Sequence, residues 1–232
     1  MSGLPPEAGV LSLPVSPRAA RDWLLGVPGR SGFLERLGGG LVVLTIILGT
    51  YHLVAAKTTP LPISLLTWVD QAIPFLPWTG WFYVPGYVMV FLIPVLFIDD
   101  RRSYAVTVSG LLAAALPCWI LHALLPIAYP RPAAPVDPGI GADFVRWIYA
   151  TDPAANTFPS MHVAMATITT VATLMRHRRY GRWCAAFTVA MTLSVLTTKQ
   201  HFLVDIFGGW AVAAAVWAGV LRGRVDRDPS DR

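Results

Sequence analysis

Long apolar segments recur along this chain of 232 residues, and short polar stretches separate them. A helix that crosses the hydrocarbon core of a bilayer needs about 20 mostly apolar residues. The pattern therefore predicts an all-α fold, a polytopic membrane protein with six transmembrane helices. These predicted spans lie at residues 39–56, 81–98, 104–125, 159–175, 183–198 and 202–221.

The polar connections between these segments indicate how the chain is organised. We predict a flexible or interfacial N-terminal segment at residues 1–38, a six-helix membrane domain at 39–221 and a charged cytoplasmic tail at 222–232. The longest polar connection, residues 126–158, is rich in proline. A loop of this length in a compact protein is usually functional or disordered, and we expect a short helix within it at residues 142–150.

Composition excludes an ordinary soluble domain and a nucleic-acid-binding protein. Hydrophobic residues make up 55% of the chain and charged residues only 13%, which is too apolar for a soluble fold. The net charge of +5 comes mainly from arginines that border apolar segments, without a basic stripe interleaved with aromatic residues. The lipid bilayer is therefore the expected partner, and nucleic acid is not. Cys118 and Cys184 lie within apolar segments and are expected to be buried thiols.

The distribution of positive charge predicts the orientation of the spans. With six spans, the side that holds both termini carries 14 of the 18 Lys and Arg residues. The opposite side carries only Lys57, Arg131, Arg146 and Lys199. Lys and Arg favour the cytoplasmic side of a membrane, so we expect both termini inside. We therefore expect a multi-pass protein of the cell membrane, in a bacterial inner membrane. The connection between the third and fourth spans and the one between the fifth and sixth then face the extracytoplasmic side together, and they carry two polar motifs.

One of these motifs opens the fourth predicted span. Asn156 or Thr157 can cap a helix that has Pro159 in its first turn. The start of that helix offers backbone N–H groups and a positive dipole end, which suit an anion. The hydroxyl of Ser160 can add a donor, and His162 lies within the first turn. The motif therefore predicts an anion site with a histidine beside it.

The other motif opens the sixth predicted span. His201 and Asp205 are four residues apart, so a helix places them on one face. A carboxylate that holds one ring nitrogen fixes the tautomer of the histidine and prepares the other nitrogen for reaction. Lys199 lies two residues earlier, and Arg131 follows the third span. Both cations suit phosphate oxygens, and ionisable groups at membrane helix ends are costly unless they are used. Together the motifs indicate phosphate chemistry on a lipid.

These residues resemble the three motifs of the type 2 phosphatidic acid phosphatase superfamily, a family of metal-independent membrane phosphatases and phosphotransferases. Arg131 and Pro132 match the end of its K-x6-RP motif. Residues 159–162 read PSMH, which matches PSGH with methionine in place of glycine. The spacing of the SR-x5-H-x3-D motif is matched by Ser194, His201 and Asp205. The resemblance covers about residues 80–221, including the layout of the spans.

The resemblance implies a role for each residue. His201 attacks phosphorus and forms a phosphohistidine, while Asp205 orients its ring. His162 protonates the leaving oxygen and then activates water or an acceptor alcohol. The substrate is a membrane lipid phosphate, and no metal ion or other cofactor takes part. The phosphate is held by three side chains, Arg131, Ser160 and Lys199.

Two departures from the family pattern leave alternatives open. Leu124 stands where the family has lysine, and Val195 stands where it has arginine. Lys199 could replace one of these cations, and residues 198–202 resemble the inositolphosphotransferase branch. The alternative function is therefore transfer of a phosphorylated headgroup, such as inositol phosphate, between a lipid and an alcohol. A second alternative, which rests on Leu124 and Val195 alone, is a non-catalytic transporter or scaffold of the same fold.

Other polar residues in the apolar sequence receive structural interpretations. We interpret Asp137, Asp143 and Asp152 as solvated charges of the long loop and not as metal ligands. His52 and His122 lie within predicted spans and are interpreted as packing or hydrogen-bonding residues. Two adjacent glycines at positions 208 and 209 predict a face where helices pack closely.

Overall fold

The computed structural model of the chain describes residues 29–134, 139–152 and 154–225. Within these ranges the regular elements are helical, apart from an isolated β-bridge between Arg30 and Asp100. The predicted all-α fold is therefore confirmed. Six helices are long: α1 (Phe33–Lys57), α3 (Gly80–Phe97), α4 (Arg101–Leu124), α6 (Met161–Arg176), α7 (Arg178–Thr197) and α8 (Leu203–Val216).

Shorter elements complete the connections between the long helices. The short helix α2 (Trp68–Ala72) follows α1, and a 3₁₀ turn (Pro77–Thr79) leads directly into α3. The helix expected within the long loop is present as α5 (Ile140–Thr151). A π-helical turn (Trp217–Leu221) extends α8. Asp137, in the same loop, lies outside the described residues.

Four stretches in the described part of the chain are long and apolar enough to cross a membrane. They are Phe33–Lys57, Pro77–Phe97, Arg101–Leu124 and Leu203–Leu221. Helix α6 has only 16 residues, and α7 begins with a basic stretch that contains three arginines. Each of the six predicted spans therefore lies on a long helix, while length and hydropathy support a membrane crossing for four of them.

The short helix α6 lies at the centre of the bundle. Eleven of its 16 residues are buried, and it packs against α3, α4, α7 and α8. Neighbouring helices thus shield its threonine side chains from lipid, which explains why its sequence is less apolar than that of an isolated span.

Close packing between α6 and α8 depends on glycine. A Cβ atom on Gly209 would lie 2.6 Å from the carbonyl oxygen of Ser160, and one on Gly208 would lie 2.9 Å from Phe158 and Pro159. The predicted packing face at these two glycines is present. It brings the start of α6 against α8, the two elements that carry the sequence motifs.

The first helix begins earlier than the hydropathy pattern indicates. Helix α1 starts at Phe33, and the Glu35 side chain accepts a hydrogen bond from the Gly32 N–H at 3.3 Å. The helix therefore begins six residues before the predicted span, which starts at position 39. Arg36 is buried in the first turn because its guanidinium donates to the Val95 carbonyl at 2.7 Å.

Charged side chains cluster at the end of the bundle that lies opposite to the motifs. Asp99, between α3 and α4, is paired with Arg176 at 2.9 Å and also with Arg30. Burial alone would raise the pKa of the Asp99 carboxyl, but the two guanidinium groups hold that pKa below 3.8. These pairs tie the end of α6 to the α3–α4 connection.

Candidate active site

Two histidines from different elements meet at the start of α6. His162 lies in the first turn of α6, and His201 lies in the connection between α7 and α8. The Nδ1 atom of His162 is 3.2 Å from the Nε2 atom of His201. Their rings meet edge to face with centroids 5.3 Å apart. The structure therefore brings together the two histidines that the motifs singled out.

Asp205 holds the far side of the His201 ring. Its Oδ2 atom is 3.1 Å from the Nδ1 atom of His201, and the Thr157 carbonyl is 3.0 Å from the same nitrogen. The same Oδ2 accepts the Phe202 N–H at 2.9 Å, so Asp205 also caps α8. Two acceptors face Nδ1, which places the ring proton there and leaves the Nε2 lone pair directed at His162.

Three residues that the sequence reasoning missed as site residues surround His162. Its Nε2 atom is 3.1 Å from the Tyr83 hydroxyl and 4.0 Å from Asp152 Oδ2. The Tyr83 hydroxyl also donates to Asp152, and the Tyr51 hydroxyl donates to the other carboxylate oxygen at 2.6 Å. Since the Tyr83 hydroxyl has one hydrogen and gives it to Asp152, it can accept from His162 Nε2–H.

The interpretation of Asp152 as a solvated loop charge is wrong. The side chain is 12% exposed and lies at the end of α5, turned toward α1 and α3. Burial alone would raise its pKa, but His162, the hydroxyls of Tyr51 and Tyr83 and the Arg131 guanidinium hold the pKa below 3.8. Asp143, in contrast, is 65% exposed and paired with Arg146, as expected for a loop charge.

Arg131 lies beside this cluster and is held in place on three sides. One Nη atom donates to the Asp152 carbonyl at 2.7 Å, and the other donates to the Gln200 side chain. The guanidinium also lies over the Tyr149 ring, 4.8 Å from its centroid. Gln200 is next to His201 in the chain, so the contact links Arg131 to the connection that carries the second histidine.

Ser160 is the N-cap of α6. Its Oγ atom accepts the Val163 N–H at 3.4 Å, and its own N–H donates to the Asp205 carbonyl at 3.0 Å. The prediction that Asn156 or Thr157 caps this helix is therefore wrong. Capping orients the first turn and hence His162, so Ser160 links the two motifs.

Lys199 points away from the histidines. Its Nζ atom donates to the carbonyls of Asp70 at 2.8 Å and of Ile73 at 2.5 Å. The backbone of Lys199 has a φ of 57°, which turns the chain there and directs the side chain toward α2. Burial lowers the pKa of the ammonium, and the charge of Asp70 opposes that effect. The Asp70 carboxylate accepts the Leu203 N–H at 2.6 Å, so it also supports the start of α8.

The positions of the two absent family cations lie in different surroundings. Leu124 is 69% exposed at the end of α4, whereas Val195 is fully buried in α7. The backbone carbonyl of Val195 accepts the N–H groups of Gln200 and His201. Its part in the site is thus to shape the connection that presents His201.

The other histidines and the cysteines agree with their structural interpretations. His122 Nε2 is 3.1 Å from the Pro159 carbonyl, where it supports the turn before α6. His52 packs edge to face on Tyr51. Cys118 and Cys184 are free and buried. Ser194 donates to the Thr79 carbonyl at 2.6 Å, which is a helix-packing contact.

A cavity of about 530 Å³ opens beside His162. It lies between α1, α3, α5 and α6, and its lining is apolar except near His162 and Asp152. Among the described residues, no three His, Cys, Asp or Glu side chains are grouped so that they could hold a metal ion. A polar reacting pair therefore borders a cavity whose walls suit hydrocarbon.

The geometry supports nucleophilic and general acid–base chemistry. His201 offers Nε2 with Nδ1 held by Asp205, which is the arrangement of a nucleophile whose developing positive charge is stabilised. His162 offers Nδ1 with Nε2 held by Tyr83, so the nitrogen that faces His201 can exchange a proton. Arg131 supplies a fixed cation close to this pair.

Comparison with known proteins identifies the family of the chain. Neither the curated proteins nor the solved structures contain a match to the chain. A family model described as the PAP2 superfamily matches residues 60–219, a range that includes both histidines and Arg131. Since the match spans more than half of the sequence, the chain belongs to the PAP2 superfamily.

Proposed function

We propose that this protein is an integral-membrane phosphatase that removes phosphate from a lipid through a phosphohistidine on His201, without a metal ion. The observation that carries the proposal is the line of contacts from Asp205 through His201 to His162. This line combines an oriented nucleophile with a proton donor, and the donor borders an apolar cavity. A lipid phosphate has the two chemical parts that such a site requires.

The first step transfers the phosphoryl group to the protein. The Nε2 lone pair of His201 attacks phosphorus, and the bond from phosphorus to the lipid oxygen breaks. His162 enters this step as an imidazolium, with one proton on Nε2 held by Tyr83 and one on Nδ1, and it gives the Nδ1 proton to that leaving oxygen, so a neutral lipid alcohol departs. Asp205 stabilises the positive charge that develops on the His201 ring.

The second step returns the protein to its starting state. A water molecule gives a proton to Nδ1 of His162 and attacks the phosphorus of the phosphohistidine. The bond from phosphorus to Nε2 of His201 breaks, and inorganic phosphate leaves. Tyr83 and Asp152 hold Nε2 of His162 through both steps, so the same ring nitrogen donates and then accepts the proton.

Arg131 is the cation that we assign to the phosphate oxygens. A phosphoryl group is stabilised mainly by position and charge, and a planar guanidinium held by Asp152 and Gln200 offers both. The first turn of α6 adds backbone N–H groups. Ser160 contributes by capping this turn, and Lys199 contributes by fixing the connection that carries His201.

We also propose that all six long helices cross the membrane, with both termini in the cytoplasm and the site on the extracytoplasmic side of the bacterial cell membrane. The uneven distribution of Lys and Arg supports this orientation. Single cysteines at Trp68 and at Arg178, added to a variant that lacks Cys118 and Cys184, test it. An impermeant maleimide applied to intact spheroplasts should label position 68 only, and labelling of position 178 alone would reverse the orientation.

Phosphohistidine formation is the direct test of the chemistry. The purified protein is mixed with a lipid labelled with radioactive phosphorus, quenched in alkali and digested, and the labelled peptide is identified. Label should reside on His201 and should be absent from His201→Ala. His177→Ala, at the opposite end of the bundle, is the matched control and should be labelled like the wild type. Hydrolysis of the lipid by His201→Ala at the wild-type rate would overturn the mechanism.

Transfer of a phosphorylated headgroup to an alcohol is the second candidate, and the modest positive charge of the site favours it. Leu124 and Val195 stand in place of two family cations, and the Lys199 ammonium is bound to carbonyls of α2. A phosphate monoester carries about −1.5 to −2 charge at pH 7, whereas a diester carries a single charge and needs fewer cations. Product analysis with and without an added lipid alcohol separates the two candidates. Inorganic phosphate as the sole product in both conditions would exclude transfer.

A further inference from the structure

The apolar cavity beside the histidines extends as a groove along α1. One end is lined by His162 and Asp152, and the other end is lined by Leu37, Gly40 and Val95. The walls between these ends come mainly from aliphatic, aromatic and methionine side chains of α1, α3 and α6. A ligand that fills the groove must therefore be polar at one end and hydrocarbon along the rest of its length.

The length of the groove suits a hydrocarbon chain. Its α1 wall runs from Tyr51 to Leu37, which is about 21 Å at the rise of an α-helix. This length exceeds half of the bilayer's hydrocarbon core of about 30 Å. The volume of about 530 Å³ lies along this wall, so an extended hydrocarbon chain fits within it.

The far end of the groove is closed by packed and charged residues. A Cβ atom on Gly40 would lie 3.1 Å from Val95 and 3.2 Å from the Tyr104 hydroxyl, so α1 is in close contact with its neighbours there. Arg36 lies one turn further along, and its buried guanidinium donates to the Val95 carbonyl. A hydrocarbon chain gains nothing by reaching a buried guanidinium. The groove therefore has a definite length.

We infer that this groove binds an alkyl chain of the lipid phosphate and that the Gly40–Val95 end limits the length of the chain. The inference rests on the proposed phosphatase function and states that the protein selects its substrate by the length of the alkyl chain. A chain that fills the groove places its phosphate at the two histidines. A shorter chain leaves apolar wall uncovered, and each buried methylene is worth about fourfold in affinity.

Hydrolysis of single-chain lysophosphatidic acids of increasing chain length tests the inference. The kcat/KM of the wild type should rise with chain length and then stop rising when the groove is full. Leu44→Trp fills the middle of the groove and should move this limit to about half the length, with a loss of about 10-fold or more for a palmitoyl chain. The hexanoyl substrate should be hydrolysed within about twofold of the wild-type rate, because its chain ends before the tryptophan.

The matched control is Ile46→Trp, a substitution of the same size on the same helix. Ile46 is 45% exposed and does not line the groove, so this variant should keep the wild-type dependence on chain length. Equal dependence on chain length in Leu44→Trp and Ile46→Trp would overturn the inference. Absence of hydrolysis for every chain length in the wild type would instead contradict the phosphatase proposal.

A cross-linking experiment locates the end of the bound alkyl chain and does not require turnover. A lysophosphatidic acid with a diazirine at the end of a palmitoyl chain is photolysed with the protein in detergent, and the modified peptides are mapped by mass spectrometry. Cross-links should fall on residues 37–40 and on Val95. Cross-links confined to outward-facing residues of α1, such as Val42 and Ile46, would overturn the inference even if hydrolysis occurs.

Discussion

The Nδ1 atom of His162 lies 3.2 Å from the Nε2 atom of His201. On the side away from this contact, Asp205 binds the His201 ring, and Tyr83, which donates to Asp152, binds the His162 ring. Two imidazoles at this distance share one hydrogen, so one ring donates and the other accepts. In the proposed mechanism a phosphoryl group enters between these two nitrogens, and the rings therefore separate when substrate binds. The carboxylates behind them keep both rings oriented during that movement.

Asp205 sets the tautomer of His201, so Asp205→Asn should slow the reaction strongly. An amide at this position can donate to Nδ1 and so place the ring proton on Nε2, where it blocks attack. We expect kcat to fall by about 10⁴-fold, as for carboxylates that orient catalytic histidines elsewhere. Phosphate release is the measurement, and the helix content by circular dichroism should match the wild type. A loss of less than about tenfold would show that tautomer control is unimportant.

Tyr83 should position His162 for proton transfer. Tyr83→Phe removes the hydroxyl between His162 and Asp152, and we expect kcat to fall about 10-fold, a part of the 10²–10⁴-fold that general acid–base catalysis contributes. The alkaline side of the pH–rate profile should move to lower pH, a change that a purely structural role does not produce. Tyr51→Phe is the control, because it leaves the Tyr83 contact to Asp152 in place, and its profile should keep the wild-type shape.

The low pKa of Asp152 predicts a loss of stability in acid. Because the folded-state pKa is below the ordinary value of 3.8, ionised Asp152 stabilises the fold fully above that value. This stabilisation is lost as the pH falls through the lower folded pKa. Thermal unfolding in detergent between about pH 7 and about pH 3 should show a smaller acid-induced drop for Asp152→Asn than for the wild type. Identical drops would contradict the burial and pairing of this carboxylate.

Arg131 should govern substrate binding more than Arg146 does. In the proposed site Arg131→Ala removes charge-assisted hydrogen bonds to the phosphate, and we expect kcat/KM to fall about 10- to 100-fold. Arg131→Lys should recover only part of this loss, because lysine lacks the planar fork. Arg146→Ala, which breaks an exposed ion pair with Asp143, should stay within about twofold of the wild type. Equal effects at the two arginines would remove Arg131 from the phosphate site.

Lys199 should matter for stability and not for phosphate affinity. Lys199→Met leaves two buried carbonyls without their donor, and we expect a loss of about 1–3 kcal/mol in the free energy of unfolding. The midpoint of thermal unfolding should fall, while KM for the lipid phosphate should stay within about twofold. Lys57→Met, at the exposed end of α1, is the control and should leave both quantities unchanged. A large rise in KM for Lys199→Met would restore Lys199 to the phosphate site.

The parts of this fold that could be predicted are those with a local signal. Each long helix follows from an apolar segment, and the pairing of His201 with Asp205 follows from their spacing of four. The meeting of His162 with His201 follows from the resemblance to a family, since nothing local joins residues 39 positions apart.

The parts that could not be predicted depend on long-range contacts. A tyrosine within an apolar helix has no distinguishing pattern, and the partner of Tyr51 lies 101 residues away. Asp152 lies in a proline-rich polar loop, and only the folding of α5 turns it inward. The backbone turn at Lys199 redirects a cation that stands two residues from His201 in sequence. In these cases the residue type does not indicate the role of the side chain. The role depends on surroundings that only the tertiary structure provides.

Helix α1 has an unusual place in this protein because residues 33–57 precede the range 60–219 that the family model matches. The helix nevertheless supplies the Tyr51 hydroxyl to Asp152 and one wall of the groove. Part of the groove wall and one of the two tyrosines that bind Asp152 thus come from sequence outside the matched range. Replacement of the groove-lining residues of α1 between Leu37 and Leu48, with Tyr51 kept, should alter which lipids are accepted while the histidine pair stays intact. Lipid preference can then be engineered on α1 without a change in the residues that surround the two histidines.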